Sequence, residues 1–405
     1  MSSAEPNPEP TTPLQWAVRW HAVVFAALLF GSVPLVHLVW HGLLGRDEPL
    51  LRTRSQLPAP TATAASIADG SWMLAKERQL REDSPIVWWL RGQWNELRYH
   101  AGAPRSTQVH FGKDEWWFIA PSVDPDRAAF ERARPQRLQF LRDVRALVEQ
   151  AGAKLFVTIE PDKARVYPDK CYADGQLPPG KRDAYAAILA DFAAAGIPTA
   201  DLAAAMAAAR AADPTAELYF RRDTHWRPQG ALVGGQAAAA ALEAVYGPLL
   251  GPRRAIDLGN VTEMRLLGDL PANVGFLTLE VDDAWVGGKR TLPLSLLADR
   301  LAEVRGYYAI RERTAAGTVA LDGKDPNAEI LVIGTSFSEE NGANALSLAL
   351  GRPVRTVIVR GAAGMKPLRA ALAELRSGTK AKVVVWEMVE RGFFEDVWLA
   401  PEALR

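Results

Sequence analysis

Two short segments carry the residues best suited to chemistry. Tyr219–Gly230 reads YFRRDTHWRPQG and sets Asp223 two positions before His225, with Trp226 next and a helix start at Pro228. In extended chain, residues two apart point to the same side, so the carboxylate can reach the imidazole. A carboxylate on one ring nitrogen leaves the other to take a proton from a hydroxyl, the chemistry of an activated nucleophile. Taken alone, an Asp-x-His pair also describes an exposed loop with a satisfied surface histidine. The hydroxyl comes from Glu329–Glu340, EILVIGTSFSEE, in which an apolar strand ends at Gly334 and a tight turn presents Thr335 and Ser336 before a helix. A serine there is exposed at the carboxyl end of a sheet, beside helix-terminal N–H groups able to bind an oxyanion. Ser336 or Ser338 serves equally as a helix cap when this segment is read by itself. The Gly-x-Ser-x-Gly elbow is not matched, because Ser338 stands where the second glycine belongs. Six histidines occur, and only His225 lies beyond residue 110, so the second half of the chain offers a single base.

These segments need a scaffold. From Lys154 onward short apolar runs alternate with alanine-rich helical stretches, the pattern of a parallel sheet with crossover helices. Expected strands are Lys154–Ile159, Glu217–Phe220, Ile330–Ile333, Thr356–Val359 and Val383–Trp386. Expected helices are Pro135–Gln150, Lys181–Ala195, Pro228–Tyr246, Glu339–Leu350 and Lys366–Arg376. Pro228 suits a first helical position, where its missing N–H costs nothing. Between 247 and 327 the alternation lapses into Gly and Asp turn signals, which reads as an insertion. Ser71–Ala101 shows helical patterning with Trp88, Trp89 and Trp94.

The amino-terminal part differs in kind. Residues 1–15 read as a polar, proline-rich tail and residues 16–40 as a single-span anchor. The charge-free Ala22–Val36 is flanked by Trp16, Trp20 and Trp40 at interfacial positions. Residues 41–69 read as a linker, 70–395 as the α/β domain, and 396–405 as a carboxyl-terminal tail. Arg46, Arg52 and Arg54 follow the span while Arg19 precedes it, and the positive-inside rule alone would keep the large domain cytoplasmic. The 405-residue chain holds 47 basic and 47 acidic residues, so it lacks the electrostatic footprint of a nucleic-acid binder. One cysteine, Cys171, excludes an intrachain disulfide and a cysteine-cluster zinc site.

The sequence resembles the alginate O-acetyltransferases of the AlgJ and AlgX type, a branch of the SGNH-hydrolase-like proteins. RDTHWRPQGA at Arg222–Ala231 is similar to the family's Asp-x-His-Trp signature, and GTSFS at Gly334–Ser338 to its nucleophile segment. HFGKDEWWFIA at His110–Ala120 resembles a Gly-Lys-Asp-Gly-Trp-Leu-Phe block, with Glu115 at a glycine position and Trp117 at a leucine position. PDKARVYP at Pro161–Pro168 and VVVWEMVER at Val383–Arg391 resemble two further blocks. The likeness covers roughly residues 70 to 395 and keeps the order of blocks. It implies an SGNH-hydrolase-like parallel sheet flanked by helices, behind an amino-terminal transmembrane helix. It also implies Ser336 as nucleophile, His225 as general base and Asp223 as its orienter. The wider group's oxyanion Gly and Asn blocks are not recognisable, and the Ser336 and Phe337 N–H groups are the expected donors.

The resemblance further implies an O-acetyltransferase acting on an alginate-like exopolysaccharide in the bacterial periplasm, anchored in the inner membrane. No metal or bound cofactor is expected; the acetyl group, ultimately from acetyl-CoA, would arrive through a membrane-bound O-acyltransferase of the AlgI type. No carbohydrate-binding module is expected to follow Arg405, so the chain looks more like the AlgJ than the AlgX type. An acetyl-esterase using the same residues and a non-catalytic polysaccharide scaffold are the alternatives. Trp226, Lys163 and Tyr167 are candidates for substrate contact, with Lys163 equally readable as a surface charge at a strand end. Trp116 and Trp117 are better read as core, Glu387 and Arg391 as an ion pair, and Cys171 as inert.

Overall fold

The computed structural model describes residues 61–394 apart from 84, 275, 277, 284–287, 294–299 and 359–364. The expected tails, the anchor at 16–40 and the start of the linker lie outside the described residues. Among the described residues no helix is long and apolar enough to cross a membrane. The chain divides into two compact units, Met1–Trp94 and Asn95–Arg405. In the first, a five-residue helix at Ala64–Ala68 falls within the expected linker. It starts at Thr63, whose side chain accepts the Ser66 N–H while the Ser66 hydroxyl accepts that of Thr63, a reciprocal capping box. Helices at Ser71–Asp83 and Pro85–His100, the latter running across the boundary, account for the helical patterning of that stretch.

The second unit begins with a hairpin of β1, Val109–Phe111, and β2, Trp117–Ile119. Its turn puts Asp114 at φ 52° and Glu115 at φ 61°, the left-handed region that favours glycine. Glycine is what the family block carries at the Glu115 position. There follow helix α1, Arg127–Gln150; β3, Lys154–Glu160; α2, Pro179–Ala194; β4, Thr199–Ala200; α3, Leu202–Ala212; and α4, Pro228–Tyr246. The stretch read as an insertion is a folded elaboration: β5, Ile256–Leu266; α5, Asp269–Val274; β6, Thr278–Asp283; β7, Gly288–Pro293; β8, Glu303–Thr314; and β9, Gly317–Leu321. Strands β5, β8 and β9 form an antiparallel sheet, and β6 and β7 a hairpin. The chain then returns through β10, Ile330–Gly334; α6, Ala343–Leu350; β11, Val354–Ile358; α7, Met365–Arg376; and β12, Val383–Val389.

Five strands make the main sheet in the order β11-β10-β12-β3-β4, all parallel. Runs such as ILVIG and VVVWEMV are apolar throughout because a parallel sheet is covered on both faces. Alternation sorts them: Leu155, Val157, Leu331, Ile333, Val384 and Trp386 pack against α1, α2 and α7. Phe156, Ile330, Val332, Val383 and Val385 face α4 and α6. Helices α4 and α6 cross closely at Gly235, where a Cβ would lie 2.6 Å from that of Ala345.

Two expected elements differ. Glu217–Phe220 is not a strand of the sheet; an isolated antiparallel bridge joins Tyr219 to Trp226, so the segment doubles back on itself. The helix expected from Glu339 starts at Ala343, since Asn341 sits at φ 73° and interrupts it. Helix α1 also begins earlier than Pro135, capped by Asp126, whose side chain accepts the Ala129 N–H.

Candidate active site

The carboxyl end of β10 aims the serine. Behind the turn, the buried Glu387 carboxylate of β12 accepts the Thr335 N–H at 2.7 Å and the Ser338 N–H at 3.1 Å, and the Thr335 hydroxyl donates to it at 2.9 Å. The N–H groups on either side of Ser336 are thereby fixed, and Ser336 is left half-buried between them. Gly334 is required by this arrangement, as a Cβ there would lie 2.5 Å from both the Glu387 carboxylate and the Ser338 hydroxyl. Past the turn, Asn341 accepts the Tyr308 N–H and donates to the Gly306 carbonyl, which ties the break before α6 to strand β8. Ser338 is buried within this turn and caps no regular helix.

His225 Nε2 lies 2.7 Å from Ser336 Oγ, and His225 Nδ1 lies 2.6 Å from Asp223 Oδ1. The pair does not meet across extended chain. Asp223 Oδ1 also accepts the backbone N–H of His225 at 2.9 Å, so the two residues form an Asx turn. An ionised carboxylate only accepts, which leaves the ring proton on Nδ1 and makes Nε2 the acceptor for the serine hydroxyl.

Three residues absent from the sequence reading complete the surroundings. Arg305 of β8 donates to Asp223 Oδ2, and its other arm donates to Glu340 Oε1 at 2.7 Å. The Asp269 N–H donates to Asp223 Oδ2 at 2.7 Å, while the Asp269 side chain accepts the Thr224 N–H at 2.8 Å. Asp223 is thus satisfied on both oxygens. Burial opposes its charge, yet the bond to His225 and the Arg305 cation hold its carboxyl far below the ordinary range. Burial likewise opposes a charged His225, but the bond to Asp223 and its field prevail, and the imidazole titrates above its usual value. Asp223, His225 and Glu340 bring ligand-type atoms within 4.8 Å of one another. The guanidinium of Arg305 already bridges the two carboxylates and supplies the positive charge such a cluster calls for.

The sequence model for the SGNH hydrolase-like domain of the acetyltransferase AlgX matches residues 109–390. The chain belongs to this family. It is 29% identical over 353 residues to the probable alginate O-acetylase AlgJ of Pseudomonas syringae pv. tomato, covering 84% of this chain and 85% of that one. Identity to the AlgJ of Pseudomonas aeruginosa is 26% over 360 residues, 82% of each. The O-acetyltransferase domain of Pseudomonas putida AlgJ superposes with a TM-score of 0.55 at 26% identity, covering 73% of this chain and 97% of that domain. Pseudomonas aeruginosa AlgX, at 20% identity and a TM-score of 0.52, covers 73% of this chain and 65% of its own and shares the fold.

Within this AlgX-type domain the remaining expected residues fall as follows. Among the described residues the Ser336 N–H has no hydrogen-bond acceptor, whereas that of Phe337 is directed at the Thr335 hydroxyl 3.3 Å away. Burial does not favour the three residues expected to contact substrate, because their polar atoms are engaged internally. Lys163, 5% exposed, donates to the carbonyls of Phe220, Arg221 and Asp223 and pins the segment that carries the Asx turn. The Tyr167 hydroxyl donates to the Ala216 carbonyl and accepts the Leu218 N–H. The Trp226 indole N–H donates to the Glu340 carbonyl at 2.7 Å, and its ring meets Phe337 edge-on. Trp116 and Trp117 are core residues, the first stacked on Tyr167 at 4.2 Å. Glu387 and Arg391 do not pair: Glu387 holds the Ser336 turn, and Arg391 faces Asp162 at 3.9 Å. Cys171 is buried, and burial pushes its thiol up to about 12.

Proposed function

We propose that this chain is a polysaccharide O-acetyltransferase whose Ser336 carries the acetyl group between donor and acceptor. The observation that carries the reading is the Ser336–His225–Asp223 relay, with heavy-atom separations of 2.7 and 2.6 Å. His225 takes the Ser336 proton as the serine oxygen attacks the acetyl carbonyl, and returns it to the departing group. A sugar hydroxyl then gives its proton to His225, attacks the acetyl-serine ester, and leaves acetylated while Ser336 regains its proton. The free Ser336 N–H is the donor best able to meet the oxyanion, at the mouth of the turn.

Likeness to alginate O-acetylases supports an alginate-like exopolysaccharide as acceptor. The AlgJ resemblance, with the apolar stretch at residues 16–40, supports an inner-membrane anchor and periplasmic action. On that reading a membrane-bound O-acyltransferase of the AlgI type delivers acetyl groups drawn ultimately from acetyl-CoA. The test is direct. Full-length protein treated with an activated acetyl ester should acquire one acetyl group on Ser336, found by peptide mass spectrometry and absent in His225→Ala. Label elsewhere, or none, would leave a scaffold; rapid deacetylation of acetylated polymer with no transfer to bare polymer would leave an esterase.

A further inference from the structure

Behind the nucleophile turn the sheet carries two buried carboxyl groups that the reaction does not use. Glu160 at the end of β3 and Glu387 on the neighbouring β12 line one cavity of about 20 Å³, together with Thr158 and the Ser338 side of the turn. Both are essentially inaccessible, 3% exposed each. Glu387 is provided with donors by the turn, whereas Glu160 Oε2 has no hydrogen-bond partner. Among the described residues no lysine or arginine pairs with either. Of the basic groups near the end of β3, Lys181 and Arg165 are committed to Asp162 and Glu390, Arg391 faces Asp162, and Lys163 donates to backbone carbonyls. Helices α4 and α6 close the cavity with Gly234, Gly235 and Ala343 and bring no charge. Tyr219 is the other titratable group that feels Glu160, and its hydroxyl donates to the Pro161 carbonyl.

Ionising two carboxyl groups together in one buried pocket without a counter-cation is disfavoured. Burial raises the Glu387 carboxyl too, but two backbone N–H groups and a hydroxyl favour its charged form, so it is the better acceptor of the pair. A single water fits once its centre has about 10–15 Å³ in which to move, and it needs polar partners to stay. We infer that Glu160 is a neutral carboxylic acid at neutral pH and shares one buried water with Glu387. The pair thereby acts as the positioning device that keeps Glu387 charged under the nucleophile turn. Burial and the facing Glu387 both push the Glu160 carboxyl well above its ordinary value, in keeping with this.

A glutamate in the unfolded chain loses its proton near 4.5, and folded Glu160 keeps it to higher pH. Between those points the folded state binds more protons, so stability falls as pH rises. Glu160→Gln imitates the neutral acid and removes that slope. In full-length protein its melting midpoint should exceed the wild type by about 2–4 °C at pH 8, with the advantage shrinking toward pH 4.5. A difference that is constant or shrinks as pH rises overturns the inference. Should the variant not fold, a neutron structure of the wild-type protein at neutral pH decides. Deuterium on Glu160 and one heavy water beside it are expected; a bare Glu160 carboxylate, or a cation in the cavity, overturns the proposal.

Discussion

In the proposed reaction His225 must be neutral to take the Ser336 proton, and Asp223 makes it more basic than an ordinary imidazole. The acid limb of kcat/KM should therefore lie above 6.5 and move down when Asp223→Asn removes the carboxylate's charge. The same change should cost roughly 10⁴-fold in kcat, because an amide at Nδ1 permits the wrong tautomer. Arg305 tests the clamp on the other oxygen. Arg305→Met should lower kcat roughly 10²-fold, the cost of about 1 Å of misplacement. It should also raise the acid limb, since a cation near the imidazole is gone. A purely structural loss would lower melting temperature and leave the pH profile in place. None of this could be read for Arg305 from the sequence: it sits in an antiparallel strand of the insertion, 82 residues from Asp223, and no spacing links the two. Asp223, His225 and Ser336 were legible because a lone histidine, a neighbouring acid and a serine turn limit the choices.

At the level of elements, β10 and β12 announce themselves as uninterrupted apolar runs, whereas the two-residue β4 has no pattern to find. Glu217–Phe220 misleads because Leu218, Tyr219 and Phe220 make a short apolar run like a strand but pair back on their own loop at Trp226. Pro135 misleads in the opposite way, a proline inside α1 that imitates a helix start. The β1–β2 turn offers a stability test. Glu115→Gly relieves a left-handed side chain, at the cost of an exposed ion pair with Arg222 that is worth little. Stability should rise by about 1 kcal/mol, measurable by denaturant unfolding. Glu387→Gln, by contrast, sets an amide against the Thr335 and Ser338 N–H groups. Ser336 acetylation by an activated ester should slow at least tenfold while the His225 pH limb stays where it is.

For the molecule as a whole, orientation is the property on which charge and kinship disagree. The arginines after the apolar stretch argue for one side of the membrane and the AlgJ likeness for the other. Alkaline phosphatase joined after Arg405 should be active in a bacterial host if the catalytic domain is exported, and silent if the flanking arginines decide.

The order of the main sheet has its own bearing on how the molecule is made. Its middle strand, β12, is the last strand among the described residues, and it alone joins the β11–β10 pair to the β3–β4 pair. The serine and the histidine both precede, along the chain, the strand that joins the two halves of the sheet. On the proposed reading, the sheet that aims Ser336 is complete only once that last strand is in place.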